Sequence, residues 1–413
     1  MAEWQVVAGG VTAPKGYRAA GIAAGLKSSG AADLALIVSD VDAIASGVFT
    51  TSHVKAACVD YCLERLDEKS SARAILCNAG QANACTGTQG RQDVDTSIEA
   101  VAQALGLVPE LVLVASTGVI GKPIKMDALL TGIPRLVASL APDGGDAAAE
   151  AIGTTDLVPK FIALETLVDG RPVRIGGMAK GSGMIHPNMA TMLAFITCDA
   201  AISSSLWHDM LQSAVNQSFN QITVDGDTST NDTVIALANG ESRTPAITKP
   251  GAAADQLEAM LTGVCQYLAK AIARDGEGAT CLIEVKVTGT ATDGDARQVA
   301  RTVAGSSLVK AAVFGRDPNW GRIAAAAGRA GVPFDANVLD ISLGSFTLMQ
   351  QGQPLAYDKA AASGYLKAAA AGEYLKEDTV LLQIKIGNGP GSGTAWGCDL
   401  SYDYVKINAE YTT

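Results

Sequence analysis

The chain has 413 residues, 48% of them hydrophobic and 18% charged, with 44 glycines and a net charge of −11. Such a composition excludes an intrinsically disordered chain, which has too little apolar surface to bury, and the length suits two domains at roughly 100–200 residues each. The acidic balance argues against nucleic acid and anionic membrane as partners, because both would repel it.

In chain order, the N-terminus Met-Ala-Glu-Trp-Gln lacks the basic cluster and apolar core of a signal or transit peptide. No apolar run reaches the roughly 20 residues that span a bilayer, so a cytoplasmic protein is expected. Residues 34–39 and a second short run at 48–49 read as strands, as does 74–77, which ends in the Asn78-Ala-Gly-Gln loop. Val94, Ile98, Val101, Ala102 and Leu105 recur at helical spacing and predict a helix over 94–105. Residues 110–115 predict a buried strand that delivers Ser116-Thr117-Gly118. A glycine at a strand end lets a backbone N–H point into a cavity, and the hydroxyl beside it adds a second donor. Thr117 and Gly118 can therefore stabilise an oxyanion. The alternative is an ordinary turn with Thr117 as a helix N-cap.

A helix is predicted over 123–142 and a surface turn at Pro142-Asp-Gly-Gly. A strand over 161–168 should enter a hairpin with Asp169-Gly170 at its tip. Residues 178–199 carry the densest chemistry. Gly181 and Gly183 flank Ser182, the His186-Pro187-Asn188 turn follows, and the apolar run 189–196 predicts a buried strand. Thr191 stands at the junction of loop and strand, with Ala190 before it. As a plain β-branched strand residue it needs no further role. As a nucleophile it needs a base, since a threonine hydroxyl is weak at its free pKa. Cutting the 190–191 peptide bond would free the α-amine of Thr191 for that task, with Lys180 nearby.

Residues 203–221 predict a helix with Ser203 as its cap. The polar loop 223–232 is rich in carboxylates but lacks the spacing and terminal Glu of an EF-hand. Eight cysteines without a CxxC pair and three widely spaced histidines predict no metal site, and buried reduced thiols are expected. A helix over 254–273 ends at Arg274-Asp-Gly-Glu-Gly, where two glycines hold Glu277 in a turn. Helices are predicted over 296–313, 322–330 and 359–371, and strands over 281–288 and 380–386, before a closing segment at 397–408. There is neither strict βαβ alternation nor a GxGxxG fingerprint of a dinucleotide-binding fold.

The string KGSGMIHPNMATML at 180–193 resembles the self-cleavage and nucleophile motif of the ornithine acetyltransferase (ArgJ, glutamate N-acetyltransferase) family. VTAPKGYRAAGIAAGLK (11–27), NAGQANACTG (78–87), STGVIG (116–121), TTD (154–156), RDGEGAT (274–280), FGRDPNWGRI (314–323) and NAEYTT (408–413) resemble further signatures of that family, in its order. The resemblance implies a mixed α/β layered sandwich of the self-cleaving DmpA/ArgJ-like type, with a smaller α/β domain. It also implies a cut between Ala190 and Thr191, giving an α chain of 1–190 and a β chain of 191–413 in an α2β2 heterotetramer. Thr191 would then be the nucleophile and Thr117 and Gly118 the oxyanion hole. Thr154, Lys180, Thr191, Glu277, Asn408 and Thr413 would bind substrate, with Glu277 toward its ammonium and Lys180 toward its carboxylate. The implied reaction moves acetyl from N-acetylornithine to glutamate through an acetyl-threonine. No metal or cofactor is implied, and acetyl-CoA is the co-substrate of a bifunctional member. An N-terminal-nucleophile amidohydrolase or aminopeptidase is the second reading, and a metabolite-binding protein with a structural Thr191 is the third.

Overall fold

The computed structural model describes residues 4–186 and 192–410. Its apolar runs build two sheets. The first contains β1 (Gln5–Val7), β2 (Tyr17–Ile22), β3 (Leu34–Phe49), β4 (Ser71–Gln81), β5 (Val112–Val119), β6 (Lys160–Val168), β7 (Arg171–Lys180) and β8 (Leu193–Cys198). β9 (Ile222–Thr223) leaves for the second sheet, and β10 (Thr233–Ala238) returns to the first. The first sheet runs β1-β6-β7-β8-β10-β3-β4-β5, with β2 also on β3. The second is completed by β11 (Leu282–Thr290), β12 (Asp340–Leu343), β13 (Phe346–Gln350), β14 (Gln353–Pro354), β15 (Thr379–Lys385) and β16 (Gly391–Cys398).

Helices separate and cover these sheets. α1 (Ala57–Glu68), α2 (Gly87–Leu105), α3 (Met126–Ala138) and α4 (Gly145–Ile152) share one core with β2 to β5. α5 (Ser204–Asn216) and α6 (Ala252–Arg274) pack on β6, β7, β8 and β10, in a core that also takes Leu282 and Trp396 from the second sheet. α7 (Asp293–Ala304), α8 (Ser307–Phe314), α9 (Trp320–Gly328) and α10 (Lys359–Ala370) close a third core on the second sheet. The architecture is the mixed α/β sandwich with a smaller α/β unit. Among the described residues, no helix is long and apolar enough to cross a membrane.

β8 sits near the middle of the first sheet, antiparallel to β7 and parallel to β10. All six of its residues are buried. Because side chains alternate along a strand, Leu193 and Phe195 enter one core while Ala194, Ile196 and Cys198 enter the other. An apolar run without a polar phase is what this two-sided burial demands.

Several boundaries differ from the expectations. Residues 34–39 and 48–49 are parts of one strand, β3, whose register on β4 shifts between Val38 and Ala43. Asp40 and Asp42 look like a break in sequence but face solvent across that irregularity. The helix expected over 296–313 is two helices. Gly305 ends α7, and the Ser306 side chain accepts from the Val309 N–H to cap α8. Ser203 occupies the N-cap of α5, yet its side chain makes no capping bond. The closing segment leaves β16 after Cys398 and becomes a helix, α11 (Tyr402–Glu410). β16 is already paired on both sides, by β11 and β9, so no partner remains for an extended continuation there. Seven cysteines are buried as expected, whereas Cys85 is exposed.

Candidate active site

β5 ends in the site. Thr117 and Gly118 lie within the strand rather than at a helix cap, so the N-cap alternative is corrected: the next helix begins only at Met126. Gly118 pairs in register with Gly80 of β4 and has φ +127°. A Cβ there would stand 2.3 Å from the carbonyl carbon of Gly80. Only glycine allows both that backbone angle and that approach. Gly118→Ala is therefore expected to displace the N–H, and with the oxyanion role that the family resemblance implies for it, to lower kcat by about 10²–10³-fold. Steady-state kinetics would check this, and an unchanged kcat would remove Gly118 from the oxyanion hole.

Lys180 closes β7 opposite Leu193, the first residue of β8. Its ammonium donates to Thr154 Oγ1 at 2.8 Å and to Thr117 Oγ1 at 3.3 Å. A hydroxyl that accepts from an ammonium keeps its own hydrogen free to donate, so Thr117 is set up as a donor toward the cavity. Lys180 thus joins the hydroxyls of Thr117 and Thr154 through one ammonium.

A buried ionic cluster sets these groups. Asp156 accepts from the Thr154 N–H at 2.9 Å and the Gly181 N–H at 2.7 Å. Lys160, 2% exposed, bonds Asp156 and Asp275 at 2.6 Å each. Burial alone would push the Asp156 carboxyl up, but the charges of Lys180 and Lys160 and the Gly181 N–H hold it well below the usual carboxylate range. Asp275 shares the same ammonium beside that charged neighbour, and burial pushes it up. The carbonyl of Asp275 accepts from Ser182 Oγ at 2.8 Å, and the Glu277 N–H donates to the Ser182 carbonyl at 3.0 Å. The loop around Ser182 and the turn holding Glu277 are therefore tied together by two hydrogen bonds.

Glu277 faces Gly183 so closely that a Cβ at 183 would lie 2.5 Å from its carboxylate. Asn408, on α11, donates to Glu277 Oε2 at 2.8 Å. The carboxylate-rich loop holds no metal-type cluster among the described residues. Asp225 instead accepts from the backbone N–H groups of Met184 and Ile185, at 2.6 and 2.9 Å, and fixes the loop that leads toward residue 187.

Thr117, Gly118, Thr154, Lys180, Glu277 and Asn408 line one cavity of about 420 Å³. Met192, the residue after Thr191, lines it too. Ala190, Thr191 and Thr413 lie outside the described residues. Sequence reasoning missed Lys160, Asp156, Asn231 and Asp232 as individual contributors. Asp156 carried a signal, standing in the Thr154-Thr155-Asp156 motif, and Asp232 another, closing the carboxylate-rich loop. Lys160 carried none, since a lone lysine beside a strand reads as a solvated charge.

The sequence profile of the ArgJ family matches residues 18–413. The chain is 73% identical over 413 residues to the arginine biosynthesis bifunctional protein ArgJ 1 of Nostoc sp., covering all of both chains. It is 69% identical, again over the whole of both, to the arginine biosynthesis bifunctional protein ArgJ of Synechocystis sp.. In three dimensions it resembles the crystal structure of arginine biosynthesis bifunctional protein ArgJ from Bacillus halodurans with a TM-score of 0.50 and 43% identity. That match covers 52% of this chain and 98% of the solved one.

Proposed function

The chain belongs to the ArgJ family, and on that premise we propose that it is an acetyltransferase of arginine biosynthesis, moving acetyl from N-acetylornithine to glutamate. The observation that carries this reading is the meeting of Thr117, Gly118, Thr154, Lys180, Glu277 and Asn408 in one cavity beside Met192. The chain first cuts itself between Ala190 and Thr191, leaving an α chain of 1–190 and a β chain of 191–413. The share of this chain matched by nearly all of the Bacillus halodurans chain, 52%, supports a division near the middle.

After the cut, the α-amine of Thr191 takes the hydroxyl proton as the oxygen attacks the acetyl carbonyl. The Gly118 N–H and the Thr117 hydroxyl donate to the oxyanion that forms. Ornithine leaves, acetyl remains as an ester on Thr191, and the amine of glutamate attacks that ester in the second half of a ping-pong cycle. Glu277 pairs with the substrate ammonium and Lys180 with its carboxylate, while Thr154 and Thr413 complete the contacts. The chains assemble as an α2β2 heterotetramer, and acetyl-CoA serves as the alternative donor.

Incubation with N-acetylornithine and glutamate tests the reading: N-acetylglutamate and ornithine are expected in equal amounts. Acetate without N-acetylglutamate would favour the amidohydrolase reading instead. Glu277→Gln removes a charge-assisted contact of about 1.5–3 kcal/mol, so KM for glutamate should rise roughly 10- to 150-fold. Initial rates across glutamate concentration would measure it, and an unchanged KM would remove Glu277 from the ammonium site.

A further inference from the structure

The proposed cycle asks the Thr117 hydroxyl and the Gly118 N–H to hold a fixed position against β8, the strand that leads away from Thr191. β10 is the parallel neighbour of β8. β5, which carries the two donors, neighbours neither of them, because β3 and β4 stand between β10 and β5 in the first sheet. Among the described residues, no ladder hydrogen bond joins the donors to the β8 side of the cavity.

Asn231 supplies that link. It stands just before β10, is 5% exposed and lines the same cavity as Thr117 and Gly118. Its Nδ2 donates to the Ser116 carbonyl at 2.8 Å and to the Ala82 carbonyl at 2.5 Å. Ser116 precedes the donor pair. The N–H of Ala82 donates in turn, at 2.9 Å, to the carbonyl of Val119, which follows the pair. One amide thus holds the backbone on both sides of Thr117-Gly118. Its connection to β8 is as short. The Thr233 hydroxyl donates to the Asn231 carbonyl at 2.9 Å, and the Thr233 N–H donates to the Met192 carbonyl at 3.0 Å. Thr230 Oγ1 donates to Asn231 Oδ1 at 2.5 Å, which keeps the NH₂ end of the amide toward the two carbonyls.

We propose that Asn231 is the positioning residue of the oxyanion hole, setting the Thr117 and Gly118 donors at their place relative to β8. The inference rests on the oxyanion role given to that pair under the acetyltransferase reading. A tie that only stabilised the fold could join these loops at any point. This one brackets the two residues whose hydroxyl and N–H must meet the developing charge. Such donors act by being in place beforehand, and a misplacement of about 1 Å can cost roughly 10²-fold in rate.

The test measures kcat and KM for N-acetylglutamate formation by the full protein, with turnover expressed per cut chain as counted by intact mass. Asn231→Asp keeps the shape but turns an acceptor toward the two carbonyls. It should lower kcat by about 10²-fold. KM for either substrate should change by less than about threefold, the pattern of an interaction needed in the transition state alone. Thr230→Val leaves the amide and removes only the hydroxyl that orients it, so kcat should fall about fivefold with the same constancy of KM. This milder variant decides the matter if Asn231→Asp does not fold or is not cut. A lower melting temperature with kcat intact, or a higher KM at constant kcat, overturns the proposal. Added to Gly118→Ala, Asn231→Asp should cost far less than it does alone, because both act through the same donors. A full further loss of about 10²-fold in the double variant also overturns the proposal. If Gly118→Ala itself leaves kcat unchanged, the oxyanion reading fails. A slow Gly118→Ala beside a normal Asn231→Asp defeats this inference alone.

Discussion

Thr191→Ala should leave a single species at 42.2 kDa and almost no acetyl transfer. The loss should be on the order of 10⁴–10⁶-fold in kcat, as expected when a covalent nucleophile is removed. Two requirements fail together. Without the hydroxyl there is no attack on the Ala190 carbonyl, so the chain stays whole. Without the cut there is no α-amine, so even a restored hydroxyl would lack its base. Thr191→Ser separates these demands, because it keeps the hydroxyl and should still cut and turn over. Intact mass under denaturing conditions, read beside the N-acetylglutamate assay, checks both. An uncut Thr191→Ala chain with full activity would place the nucleophile elsewhere in the cavity.

Much of the cavity's lining was legible in sequence because those residues are marked by local chemistry. Thr117-Gly118 announces itself as a small pair at a strand end, and Glu277 as a carboxylate between glycines in a turn. The run after Thr191 reads as a buried strand because it lacks any polar phase, and β8 is buried on both faces. The supporting groups were not legible, because what makes them matter is separation in sequence. Lys160 meets Asp275 across 115 positions, and Asn231 donates to the carbonyls of Ser116 and Ala82 across more than 100. No spacing rule reaches so far. The length of β3 and the break between α7 and α8 failed for a different reason. There, solvent-facing aspartates and one serine cap decide the boundary, and hydrophobic periodicity carries no record of either.

Lys160→Met should cost about 3–5 kcal/mol of stability, the usual result of removing one partner from a buried ion pair. At roughly 1 °C per kcal/mol for a chain of this size, the melting temperature should fall by about 3–6 °C. Methionine fills similar space, so the loss reflects charge: Asp156 and Asp275 remain buried without the ammonium that each meets at 2.6 Å. The sign of the pH dependence identifies the cause. In the unaltered protein the depressed carboxyl of Asp156 contributes stability that is present above its ordinary pKa, and that is lost as pH falls through the lower folded value. Without Lys160 the burial of both carboxyls is opposed by less positive charge, so their folded pKa values move up. A raised carboxyl gives its full stability below the ordinary carboxylate pKa of about 4 and loses it as pH rises through the folded value. The deficit of Lys160→Met, measured by denaturant unfolding, should therefore be larger at pH 8 than at pH 5. Transfer should suffer too, through a higher KM, because Asp156 also holds the backbone of Thr154 and Gly181 on either side of the Lys180 ammonium. A deficit of equal size at both pH values would mean that packing around residue 160, and not the charge it carries, is what the buried cluster depends on.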